Sequence, residues 1–129
     1  MDICVVEYPE SEERLLVLKD NVLKHSSLIE FGYECASYEY NEDVKYFGDS
    51  WVQEHTWDCR KKIYTPMQIN EAQFVARKNS CIKLLGNVTK IDFNGIFVDA
   101  YLMHDCWNSW LMVSQIDNYF ITFSWETSV

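Results

Sequence analysis

The chain has 129 residues, 48% of them hydrophobic and 16% aromatic, with a formal net charge of −9. That length and apolar content predict one folded domain and exclude a disordered chain. So acidic a molecule repels phosphate at long range, which argues against direct binding to nucleic acid. The charge is also segregated. Residues 1–58 carry fourteen acids and four bases, residues 59–90 one acid (Glu71) and seven bases, and residues 91–129 five acids and no base.

The amino-terminal run Met1-Asp2-Ile3-Cys4-Val5-Val6-Glu7 has no basic stretch, and its apolar part is too short for a signal peptide. No stretch approaches the ~20 apolar residues of a membrane span. A cytosolic location with no membrane partner is expected. The five cysteines (Cys4, Cys35, Cys59, Cys81 and Cys106) are odd in number and form no CxxC pair. Free thiols are therefore expected, and not a disulfide framework.

In chain order, residues 3–8 read as a short strand ended by Pro9. Residues 10–25 read as a helix, with Glu10, Glu12 and Glu13 at its start and Lys19, Lys24 and His25 at its end, the order the helix dipole favours. Leu15, Leu18, Val22 and Leu23 supply its apolar stripe. Residues 26–58 interleave aromatic and acidic side chains, interrupted by Gly32 and Gly48. Short strands joined by turns are the preferred reading there, with a helix near 27–40 as the competing one. Thr65-Pro66-Met67-Gln68 reads as a capping box with proline at the first helical position. The helix predicted to follow places Phe74, Cys81, Ile82 and Leu85 on one face and ends at Gly86-Asn87. The last forty residues read as a β-meander. Asn94-Gly95 is expected to turn a hairpin between 88–93 and 96–103. Two more strands follow over 110–115 and 119–125, turned by Asp117-Asn118. In the final strand Tyr119, Ile121, Phe123 and Trp125 share one face. Thr122, Ser124 and Glu126 share the other with Phe120, predicting one packed and one wetter face. The architecture expected is α+β, a single domain over 1–129 in which an antiparallel β-meander carries about two packed helices.

Motifs for chemistry are weak. His104-Asp105-Cys106 is an HxC triplet without the second ligand pair that zinc requires. Cys59 beside Arg60, Lys61 and Lys62 has the cationic surroundings that favour a thiolate, yet no nucleophile signature surrounds it. The adjacent carboxylates Glu12-Glu13 and Glu42-Asp43 do not face one another on a helix or strand. No phosphate-binding loop or HExxH is present. The chain is read as a non-enzyme that needs no cofactor or metal.

The acid–aromatic stretch is the candidate contact region. Tyrosine and tryptophan anchor interface hot spots, and carboxylates around them steer a basic partner and speed its capture. The residues selected are Glu34, Tyr38, Glu39, Tyr40, Glu42, Asp43, Asp49, Trp51, Glu54 and Asp58. The C-terminal runs Val98-Asp99-Ala100-Tyr101-Leu102, Trp107-Asn108-Ser109-Trp110-Leu111-Met112-Val113 and Asp117–Ser128 resemble the small cytosolic immunity proteins of bacterial toxin systems, including contact-dependent growth inhibition. The resemblance covers about a third of the chain and carries over no residue roles. It implies a partner that is a toxin domain, commonly a basic nuclease, neutralised by binding. The competing expectation is a nucleic-acid mimic of the anti-restriction class, whose carboxylates would follow the ~1.7 Å charge spacing of duplex DNA. The seven clustered bases argue against it.

Overall fold

The computed structural model describes residues 1–44 and 64–127, with the side chains of residues 37–44 outside that description. Among these residues the fold is α+β: six antiparallel strands in one sheet, with one helix on each face. The strands are β1 (Asp2–Tyr8), β2 (Glu13–Asn21), β3 (Met67–Gln68), β4 (Phe97–Cys106), β5 (Ser109–Ile116) and β6 (Tyr119–Thr127). Their spatial order is β1-β2-β6-β5-β4-β3. The helices are α1 (Leu28–Val44) and α2 (Glu71–Leu85).

The expected helix over 10–25 is a strand. Pro9 to Glu12 form a turn, with Glu12 at φ 54°, and β2 follows directly, paired with β1 from Tyr8↔Glu13 to Asp2↔Lys19. Leu15, Leu16, Val17 and Leu18 are all buried. A strand covered on both faces buries consecutive side chains, and such a run mimics a helical stripe in the sequence. A short 3₁₀ turn, Val22–Lys24, closes β2 and is capped by the Asn21 side chain.

The next segment begins with α1, the competing reading of a helix near 27–40, and not with the preferred short strands. The Ser27 hydroxyl accepts the Glu30 amide at 3.1 Å, an N-cap that ends the preceding turn. Leu28, Phe31, Cys35 and Ala36 then form a buried stripe. Gly32 lets α1 approach the sheet closely, since a Cβ there would meet Met103 Sδ at 2.8 Å. Helix α2 also starts later than the Thr65-Pro66 signal suggests. Asn70 caps it and exchanges hydrogen bonds with Gln73, while Met67–Gln68 pair with β4. Phe74, Cys81 and Leu85 are buried, Ile82 is exposed, and Gly86 (φ 53°) ends the helix as expected.

Residues 88–93 are not the first arm of a hairpin. Ile91 and Phe93 anchor an irregular segment against the core. Gly95 fits against the β5–β6 turn, where a Cβ would overlap Ile116 and the Asp117 carboxylate. Strands β5 and β6 follow the predicted register, with Asp117 at φ 51° in their turn.

The wetter face predicted for β6 is in fact packed. Leu15, Val17, Ile121, Phe123 and Met112 face α2 in one core. Leu16, Leu18, Leu111, Val113 and Phe120 face α1 in another. Thr122 and Ser124 are buried beneath α1, and the Thr122 hydroxyl lies 3.1 Å from Cys35 Sγ.

At the end where β2 closes, His25 is wedged against Phe31 and Phe120. Its Nε2 lies 2.8 Å from Asp20 Oδ2, and its Nδ1 lies 2.8 Å from Glu34 Oε2 without hydrogen-bond alignment. Burial alone would raise the Asp20 carboxyl. The hydrogen bonds from His25 and the Asn21 amide, with the charges of Lys24 and the amino terminus, outweigh it and hold the carboxyl below its ordinary value. A depressed carboxylate stabilises the fold above its unfolded pKa, and that contribution is lost as pH falls through the folded value. Asp20→Asn is therefore expected to lower stability at neutral pH, with the difference from the wild type shrinking below about pH 4. Urea unfolding across pH 3–7 reads this; a pH-independent difference would contradict it.

Candidate partner-binding surface

Strand register gathers one end of the sheet from distant parts of the chain. The β1–β2 turn (9–12), the end of β6 and the β4–β5 turn (107–108) lie side by side, because Glu13 pairs with Thr127, Glu126 with Ser109 and Ser109 with Cys106. The Thr127 amide also donates to the Asn108 carbonyl at 2.8 Å. Four strand spacings separate β1 from β4, so this end is roughly 19 Å across.

Trp107, Trp110 and Trp125 all belong to it. Trp107 sits at the tip of the β4–β5 turn and is 79% exposed. Trp110 and Trp125 are half-buried and stacked at 6.2 Å. Glu10 and Glu12 lie in the β1–β2 turn, Glu13 and Asp105 lie with Arg77 and Lys83 on the face of the stacked indoles, and Glu7, Arg14 and Glu126 lie on the opposite face of the same end.

Arg14 reaches Glu7 and Glu126, each at 3.3 Å. Arg77 meets both Asp105 oxygens, at 3.3 and 3.0 Å, and lies 5.1 Å from the centre of the Trp110 ring. That cation–π geometry fixes the indole from one side. The Trp125 indole N–H donates to Glu13 at 3.2 Å. Between α2 and the stacked indoles runs a groove of about 470 Å³, lined by Glu13, Arg77, Cys81, Lys83, Trp110 and Trp125. A second, of about 570 Å³, lies beside the β1–β2 turn and shares Glu13 with it.

Cys81 forms part of the first groove's wall. Burial pushes its thiol up to about 12, only partly opposed by Arg77. A thiol so raised is the neutral, unreactive form at neutral pH. Thiol-reactive dye at pH 7.5 is expected to label exposed Cys106 at least ~10-fold faster than Cys81, counted by mass spectrometry after proteolysis. Equal rates would contradict the burial argument.

Of the residues selected from the sequence, Glu34 is the one with a described side chain. It is exposed on α1 beside His25, at the opposite end of β2 from the tryptophans. Tyr38, Glu39, Tyr40, Glu42 and Asp43 belong to the later part of α1, their side chains outside the description. Asp49, Trp51, Glu54 and Asp58 lie outside the described residues, as do Cys59 and His55. The acids at 10–13, which a helix dipole would have explained, have no helix to serve and belong to the acid–tryptophan end. Pro9 followed by Glu-Ser-Glu is the turn signal that could have freed them for this role.

Among the described residues no group of three or more His, Cys, Asp or Glu is placed to hold a metal ion. None of their helices is long and apolar enough to cross a membrane. Compared with protein-family models, curated proteins and solved structures, the chain matches none.

Proposed function

We propose that the chain is a binding protein that captures a basic partner domain at the acid–tryptophan end of its sheet, and that it serves as an immunity protein neutralising a cognate toxin. One observation carries this reading: three tryptophans and six carboxylates converge on one end of a rigid sheet, and the most projecting of them, Trp107, is 79% exposed. An aromatic held out in water by a tight turn contributes little to folding. With carboxylates at the same end of the sheet, it is suited to enter a cleft on a cationic protein. The basic partner and the neutralising role are supported by the charge and by the resemblance of the C-terminal meander to immunity proteins. A nucleic-acid mimic is the weaker reading, because Arg14 bridges Glu7 and Glu126 and so interrupts the row of acids.

The test is coexpression with the C-terminal domain of the protein encoded beside this chain's own gene. Rescue of growth, copurification, and affinity that falls at least ~10-fold between 50 and 300 mM salt are expected, since exposed charge pairs are screened. No rescue and no complex would overturn the toxin reading. A complex indifferent to salt would overturn the electrostatic part.

A further inference from the structure

Among the described residues β1 is an edge strand of the sheet. Its inner side pairs with β2 along all seven residues, and no described residue pairs with its outer side. An open edge of this length presents a row of unpaired N–H and C=O groups, and such edges are sites where an extended segment adds a strand. On the α1 face of the sheet the helix makes its main contacts with β5, β6 and β4. Ile3 and Val5 on that face are 43% and 37% exposed. On the other face Cys4, Val6 and Tyr8 pack into the core, and the Tyr8 hydroxyl donates to the Leu84 carbonyl, which ties β1 to α2. The edge is thus firmly held, and ordering it on binding costs little.

Its charge selects the occupant. From Met1 to Glu13 the chain holds Asp2, Glu7, Glu10, Glu12 and Glu13 and no lysine or arginine. Lys90, beside Asp2 and Ile3, and Lys19, opposite Asp2 on β2, border the strand, and Arg14 reaches Glu7 from β2. The edge also runs straight into the acid–tryptophan end, because Tyr8 opens the turn that holds Glu10 and Glu12.

We infer that the outer edge of β1 receives an extended segment of the basic partner as a seventh strand. Apolar side chains of that segment would cover Ile3 and Val5, and flanking cations would meet Asp2 and Glu7. A second copy of the chain is disfavoured as occupant, because each copy carries −9. The inference deepens the proposed function and rests on its claim that the partner is a basic protein.

The probe is a capped peptide of sequence Lys-Val-Thr-Val-Thr-Val-Lys, with Lys-Gly-Ser-Gly-Ser-Gly-Lys as a charge-matched control lacking β-propensity. Amide hydrogen exchange of the intact chain is followed by NMR at millimolar peptide. Alternate amides of β1, those directed away from β2, are expected to slow at least tenfold with the first peptide and not with the control. The Ile3→Lys/Val5→Lys double variant, whose changes lie on exposed positions, is expected to keep its Tm and lose that protection. Four outcomes would overturn strand addition: unchanged β1 exchange, equal protection by both peptides, protection that survives the double variant, or concentration-dependent β1 protection without peptide, which marks self-association. None of these touches capture at the acid–tryptophan end, which fails separately if the coexpressed partner domain does not bind.

Discussion

Replacing Phe123 by alanine is expected to lower the unfolding free energy by about 3–5 kcal/mol, the range for deleting a buried aromatic ring. Phe123 is fully buried in β6, which lies between β2 and β5. Its ring meets Phe93 at 5.5 Å and Phe74 at 6.4 Å. It therefore joins the sheet to α2 and to the irregular segment after it. Neither ring moves readily into the space, because Phe74 belongs to a helix and Phe93 is tied to a loop that Gly95 seats against Asp117. Urea unfolding monitored by tryptophan fluorescence reads the effect. A loss under about 1 kcal/mol would mean that this core does not pack as described.

Replacing Trp107 by alanine is expected to do the reverse: little to stability and much to binding. An exposed side chain on a turn contributes within about 0.5 kcal/mol to folding. As the projecting anchor of the proposed interface it should contribute at least about 2 kcal/mol to partner affinity, or roughly 30-fold in Kd. Trp125 makes the instructive contrast. It is half-buried, stacked on Trp110 and hydrogen-bonded to Glu13, so Trp125→Ala should lower both stability and affinity. Calorimetric titration with the partner domain, beside thermal unfolding of each variant, separates the two. Unchanged affinity for Trp107→Ala would remove the anchor from the account.

Much of the fold was legible because local signals and tertiary packing agree in the C-terminal third. Strands β5 and β6 alternate around a turn whose Asp117 adopts the positive φ that Asp and Asn tolerate. Helix α2 was legible for the same reason, its capping residues shifted by a few positions from Thr65-Pro66 to Asn70-Gln73. The misreading of β2 has a physical origin. A strand covered on both faces loses its alternation, and the charges at its ends, Glu13 with Arg14 and Lys19 with Asp20, serve cross-strand and loop contacts that look like dipole matching. Helix α1 carried a Ser27-to-Glu30 capping signal that the dense aromatic and acidic residues after it obscured.

The candidate surface was the least legible part. Local sequence density points to an acid–aromatic surface at residues 30–58, most of whose side chains lie outside the described residues. The described surface is assembled by sheet register from residues 7–13, 105–110 and 125–127. Only a topology that places β6 between β2 and β5 brings Glu13 against Trp125 and Glu126 beside Ser109.

The central claim is that this end of the sheet meets the partner, and amide hydrogen exchange of the chain with and without its bound partner domain tests it most directly. The account predicts protection in residues 7–13, 105–110 and 125–127, joined by the outward amides of β1 where the partner adds its strand. Protection confined to α2, or to the opposite end around Asp20, His25 and Glu34, with the tryptophan end unchanged, would contradict it.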